Sequence, residues 1–203
     1  MYQMIVLDYP LNNLYPNISY LTLDIHYNQI YKSNFEMLIN FLNQGNYHYN
    51  YSLKELINNV DIFPLSIRGE ILYYLSSVLN HNLYFYNISN KKNIIPVGKI
   101  RDDINKNFAS FDNFKREFIT SANNLRGSGY TFLVSDSGSL KIINVSNEDS
   151  PYSYGFIPII CLDLWEHAYF IDYHNNRSAY INNFFNIIDF NKINIYYEKI
   201  SLV

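Results

Sequence analysis

Asp163 and His167 stand four residues apart, just beyond the apolar run Ile157-Pro158-Ile159-Ile160-Cys161-Leu162. The run reads as a buried strand, with a helix starting just after it. A carboxylate at a strand end and an imidazole on the next element can face one point. They offer a metal ion one oxygen and one nitrogen donor. The chain holds only 5 histidines, so further ligands are few. Two of them, His26 and His81, fall inside segments of helical apolar spacing, and facing helices can bring two such rings together. The set His26, His81, Asp163 and His167 suits Fe, Mn or Zn at a tetrahedral or five-coordinate centre, with redox or hydrolytic chemistry. A lone histidine on a helix is commonly a packed or surface residue, so it is the joint pattern that points to a site.

Ser19 is a good N-cap, and Leu21, Ile25, Asn28, Tyr31, Phe35, Leu38 and Leu42 follow at helical spacing. The pattern predicts a long helix from Ser19 to Asn43, then a loop from Gln44 to Tyr51. Ser52-Leu53-Lys54-Glu55 is a capping box before a short helix. Pro64 breaks the chain, and Ser66 can cap a second long helix that ends near Tyr86. Two long helices joined by a moderate loop predict an antiparallel hairpin. The polar segment Asn87 to Val97 reads as a linker. Helical spacing resumes over Ile104 to Phe108 and Phe111 to Asn124. The period then changes to that of strands at Gly129 to Val134, Leu140 to Val145 and Ile157 to Leu162, with Asp136-Ser137-Gly138 as a hairpin turn. Two helices, Trp165 to His174 and Ser178 to Asp189, close the prediction. The expected class is α+β: a long α-helical hairpin over residues 1–90, and over 91–203 an α/β unit with a three-stranded antiparallel sheet.

At 203 residues, 48% hydrophobic and 18% aromatic, the chain is globular rather than disordered. The net charge of −3 comes with no basic stripe, so nucleic-acid binding is not favoured. The single cysteine, Cys161, excludes an internal disulfide, suits a reducing setting and reads as a small buried residue. The abundant asparagine devalues the Asn-x-Ser matches at Asn17, Asn50, Asn87 and Asn144. The first residues lack a basic signal region or an Arg-rich transit pattern. The longest uncharged apolar stretch, Ser150 to Leu162, is too short and too polar to span a bilayer. No membrane insertion is expected, and the expected setting is cytoplasmic or mitochondrial. His48 and His174 read as surface or interface residues.

Asp163-Leu164-Trp165-Glu166-His167-Ala168-Tyr169-Phe170-Ile171-Asp172-Tyr173, followed by Asn175, Arg177 and Tyr180, resembles the C-terminal signature of iron/manganese superoxide dismutases. Pro16 through His26-Tyr27 looks like that family's first helix, and Val78-Leu79-Asn80-His81 like its Val-Trp-Asn-His motif. Phe108 to Lys115 and Gly127-Ser128-Gly129 also correspond. The resemblance implies His26, His81, Asp163 and His167 as ligands of one Fe or Mn per chain, with a solvent molecule as fifth ligand. It implies superoxide as substrate, disproportionated to oxygen and peroxide through alternate oxidation and reduction of the metal. It also implies a homodimer in which Glu166 reaches the partner's metal-ligand His167.

The surroundings of the implied centre depart from the family. Positions 30 and 34, usually a gateway His and Tyr, are Ile30 and Asn34, and the Tyr that bonds the gateway His across the dimer is Phe170. The active-site Gln is missing: its iron-class place is Ser77, and its manganese-class turn reads Asn147-Glu148-Asp149. Tyr130 stands where the family has Trp, and Phe132 reads as a second altered aromatic of the same shell. Asn34, Glu148 and Tyr130 are therefore the candidate catalytic residues beside the metal, with Glu148 facing either the centre or water. These losses keep a second function open, that of a non-catalytic subunit of a mitochondrial ribosome or other organellar assembly, the one setting in which RNA contact would be expected. A zinc hydrolase would need Glu148 as its general base.

Overall fold

The computed structural model describes residues 2–91 and 93–201. Ser19 is extended, and its hydroxyl accepts from the Thr22 N–H, which starts the first helix. That helix runs on as α1 (Tyr20–Asp24), a π-helical stretch (Ile25–Tyr31) and α2 (Lys32–Gln44). The regular spacing expected from the sequence placed Leu21, Ile25 and Asn28 inward. Leu21 and Asn28 are exposed instead, and Thr22, Leu23, His26 and Tyr31 are buried. Bonding from i to i+5 widens the turn and shifts the phase of the helix between its two ends. One buried stripe thereby joins Leu42 and Leu38 of α2 to Tyr31 and His26.

Ser52 and Glu55 make both bonds of the capping box that opens α3 (Leu53–Leu56). Pro64 rather than Ser66 is the N-cap of α4 (Leu65–Asn87). The Pro64 carbonyl already accepts from Ile67 and Arg68, so the chain turns helical before Ser66 could cap it. From Ile71 onward α4 buries side chains on nearly every face, because α2 and the sheet both pack on it. Asn87 does not open a linker. It is the buried last residue of α4, where its Oδ1 accepts from the Cys161 N–H (2.8 Å) and its Nδ2 donates to the Ile159 carbonyl (3.1 Å). Ile88 then bridges Ile188.

Next come α5 (Gly98–Phe108), α6 (Phe111–Asn124), β1 (Gly129–Asp136), β2 (Ser139–Ser146) and β3 (Ile157–Asp163). The sheet has three strands in the order β2-β1-β3, both pairs antiparallel, as the class expected from the sequence requires. Ser137 and Gly138, both at positive φ, form the two-residue turn between β1 and β2. Gly129 has no room for a side chain: a Cβ there would lie 2.1 Å from the Val145 carbonyl oxygen. Its own carbonyl accepts from Leu164 (2.9 Å), which holds the end of β3 in place.

The helix expected over Trp165 to His174 is absent. Asp163 Oδ1 accepts from the Trp165 N–H (2.8 Å), and Tyr169 leaves helical torsions at φ −146. A 3₁₀ turn (Glu166–Ala168) and the short α7 (Phe170–Tyr173) result. Asn176 caps α8 (Arg177–Phe184), which lies within the helix expected over Ser178 to Asp189 apart from its first residue and ends well before Asp189. Asp189 instead caps α9 (Phe190–Ile200), an element the spacing did not predict. One hydrophobic cluster takes residues from every long helix and all three strands. Among the described residues no helix is long and apolar enough to cross a membrane.

Asn87→Ala removes the amide joining α4 to β3 and leaves a strand N–H and a carbonyl without partners. The expected loss is roughly 2–4 kcal/mol of stability in urea unfolding. A loss under about 0.5 kcal/mol would show the amide to be dispensable.

Candidate metal centre

Four elements supply the candidate ligands. The π-helical stretch carries His26, α4 carries His81, β3 ends at Asp163, and the 3₁₀ turn carries His167. One donor atom from each lies within 4.8 Å of all the others. Asp163 Oδ2 is 3.2 Å from His26 Nε2, 3.4 Å from His167 Nε2 and 3.7 Å from His81 Nε2. All four atoms are buried and have no hydrogen-bond partner. Buried polar atoms are normally satisfied, so four orphans converging on one point need an occupant. Donors about 2.1 Å from a shared ion sit roughly 3–4 Å from one another, the range in which Asp163 Oδ2 stands from all three nitrogens.

Electrostatics agree with geometry. Burial pushes His26 down to about 4 and His81 down to about 3, so both rings are neutral at pH 7 and can offer a lone pair. Burial alone would raise the Asp163 carboxyl, but the His167 and His26 imidazoles hold it well below the usual carboxylate range. His167 is raised: burial lowers it, yet the Asp163 charge wins. The close His–Asp approaches are therefore not conventional ion pairs at His26 and His81, where the protonated form is disfavoured.

Neighbouring groups fix the rings. His81 Nδ1 donates to the Ser77 carbonyl (2.8 Å), which sets the tautomer that leaves Nε2 free. Tyr84 stacks on His26 (5.1 Å between centroids), Tyr31 on His81 (5.6 Å) and Trp165 on His167 (5.9 Å). Sequence reasoning missed these three rings. The signal was present in Tyr84, three residues past His81, and in Trp165, two before His167, but Tyr31 reaches the site only through the π-helical stretch.

Tyr130 lies opposite Asp163 in the β1–β3 register, and its ring centroid is 6.2 Å from that of His81. Its hydroxyl donates to Glu148 Oε2 (2.8 Å). Glu148 is 4% exposed, so its side chain faces inward and not water. Burial pushes its carboxyl up to about 7, helped by the Asp163 charge and opposed by the Tyr130 bond. Asn34 Nδ2 donates to Ser77 Oγ (2.8 Å), which also lies 3.3 Å from His81 Nδ1. Asn34 and Ser77 thus form one polar pair against His81, and Tyr130 and Glu148 a second beside the four ligands. Ile30 is half-buried and Phe170 exposed. His48 and His174 are exposed and take no part.

Comparison with known proteins bears on the same residues. A family model described as iron/manganese superoxide dismutases, C-terminal domain, matches residues 96–195. The superoxide dismutase [Mn] of Listeria monocytogenes is 33% identical over 95% of this chain and 96% of its own length. This chain belongs to the iron/manganese superoxide dismutase family. The superoxide dismutase [Fe] of Legionella pneumophila is 36% identical over 90% of the chain and 92% of its own, and the superoxide dismutase [Mn/Fe] 2 of Staphylococcus aureus 32% over 95% of each. These superoxide dismutases differ in the metal their names give, and nothing among them favours a ribosomal subunit.

Glu148 yields a sign-definite pH test. Its folded pKa of about 7 lies above the ordinary 4.5, so it favours folding at low pH and opposes it once ionised. Metal-free Glu148→Gln should be more stable than the parent above pH 7, by up to about 3 kcal/mol, and the gap should shrink as pH falls toward the ordinary carboxylate value. Parallel stability curves from thermal melts across that window would contradict the inward placement.

Proposed function

We propose that the chain is an active superoxide dismutase holding one Fe or Mn ion, with His26, His81, Asp163 and His167 as its ligands. The carrying observation is the convergence of four buried, unpartnered donor atoms. When bound, Fe or Mn supplies the one-electron oxidation and reduction by which two superoxide ions become oxygen and peroxide. The residues around the site have three tasks. The Ser77 carbonyl holds the His81 ring in orientation. The Asp163 carboxylate stays ionised and lends negative charge, which favours a cation in the higher oxidation state. Glu148 keeps a proton within reach of the centre near neutral pH, shared with the Tyr130 hydroxyl. Two protons are consumed for each peroxide released, so a buried carboxyl in that place has a use. Asn34 orients Ser77 from the helix side.

A homodimer suits the same residues. Among the described residues His167 has no partner for its second ring nitrogen, and the carboxylate of the exposed Glu166 beside it accepts only from Ser128 (2.8 Å). A second copy can supply the carboxylate that a metal-bound histidine ordinarily meets. Tyr20, Leu21, Phe170 and Ile171 expose apolar surface on the adjoining α1 and α7, which an isologous contact would cover. The bacterial relatives favour a cytoplasmic over a mitochondrial setting.

Purified protein should hold about one Fe or Mn per chain, as a four-ligand centre would, sediment as a dimer and dismutate superoxide. Metal without turnover would reject the enzymatic reading while keeping the site, and neither would leave a scaffold. Asp163→Ala should lose its metal almost completely by elemental analysis, because it removes the central anion of the ligand set. Unchanged loading would overturn the ligand assignment.

A further inference from the structure

A cavity of about 210 Å³ is lined by none of the four candidate ligands. Leu79 and Leu83 of α4 line it together with Tyr86, Tyr152 and Tyr196. The Tyr86 hydroxyl is committed to the Lys192 carbonyl (3.0 Å), and those of Tyr152 and Tyr196 bond each other (3.3 Å). The tyrosines therefore present ring surface to the cavity. Ligand sites of this mostly apolar kind gain their orientation from a few placed polar groups.

Two such groups are present. Lys54, on the exposed side of α3, lies over the Tyr196 ring with its Nζ 4.7 Å from the centroid and 3.1 Å from the hydroxyl. Among the described residues no carboxylate lies within ion-pair distance of it. The Asn82 Oδ1 accepts a hydrogen bond from the Tyr31 hydroxyl, and its Nδ2 has no partner among the described residues. An ammonium and an amide N–H₂, both donors, thus border an aromatic chamber that holds no acceptor of matching charge.

We propose that this cavity is a binding site for a small aromatic carboxylate. The ring would stack among the tyrosines, where offset and edge-on aromatic contacts are favoured. The carboxylate would accept from Lys54 and Asn82, the charge-assisted bond being the stronger. The volume is below the range of roughly 300–1,000 Å³ typical of drug-sized ligands, so a single ring is the fitting size. The site shares no lining residue with the metal centre, and it stands whether or not the chain dismutates superoxide.

Fluorine NMR titration of the metal-loaded protein with 4-fluorobenzoate tests this, with 4-fluorobenzyl alcohol as the uncharged control. One saturable site is expected for the acid, with the alcohol at least about tenfold weaker. Lys54→Met keeps the apolar stem and should weaken the acid by about tenfold while leaving the alcohol and the metal content unchanged. Absence of saturable binding overturns the proposal, as does equal affinity in Lys54→Met. Binding that survives Lys54→Met but vanishes in metal-free Asp163→Ala assigns the acid to the metal centre and also overturns it.

Discussion

The fold is arranged around one uncomfortable fact: an ionised carboxylate, Asp163, is wholly buried with one oxygen unpaired. Taking such a charge out of water is costly unless it is matched on the spot. Its Oδ1 is satisfied by the Trp165 N–H, and its Oδ2 faces three imidazole nitrogens whose protonation burial discourages at two positions. Those rings cannot all act as cations, so the charge is fully matched only by an ion placed among them. Much of the surrounding architecture makes sense as the means of holding this arrangement until the ion arrives.

The means are distributed. The sheet brings Asp163 beside Tyr130, and the turn after β2 brings Glu148 to Tyr130. The Asn87 amide ties the end of the His81 helix to the strand that ends at Asp163. Aromatic rings then close around each imidazole. Hydrogen bonds orient individual side chains here, while the shared hydrophobic cluster keeps helices and sheet in one frame.

Much of this was legible in the residues. The strands announced themselves by period, and the two-residue turn by Ser137-Gly138. Asp163 and His167 were conspicuous as a pair, His26 and His81 stood out as histidines within helical segments, and the resemblance to iron/manganese superoxide dismutases implied all four as ligands of one ion. The residues just after Asp163 nevertheless read as helix, where a 3₁₀ turn forms because the carboxylate captures the Trp165 N–H. Asn87 read as linker because an asparagine amide looks polar in sequence whether it meets water or two strand groups. The last helix was overlooked although Asp189 caps it and Phe190, Ile193 and Tyr197 supply its buried side. Its Asn- and Tyr-rich surroundings blunt that periodicity. No residue between Ile25 and Tyr31 marks π-helical bonding, since the same types sit equally well in an α-helix.

That stretch makes angular phase a coordinate of the metal centre. In a regular α-helix each residue advances the chain by about 100°. Loss of a single residue between His26 and Tyr31 would therefore leave a perfectly good helix on both sides while swinging the imidazole out of the cluster. The placement of His26 against α2 thus depends on the number of residues up to Tyr31, a backbone count that no side chain in the stretch displays.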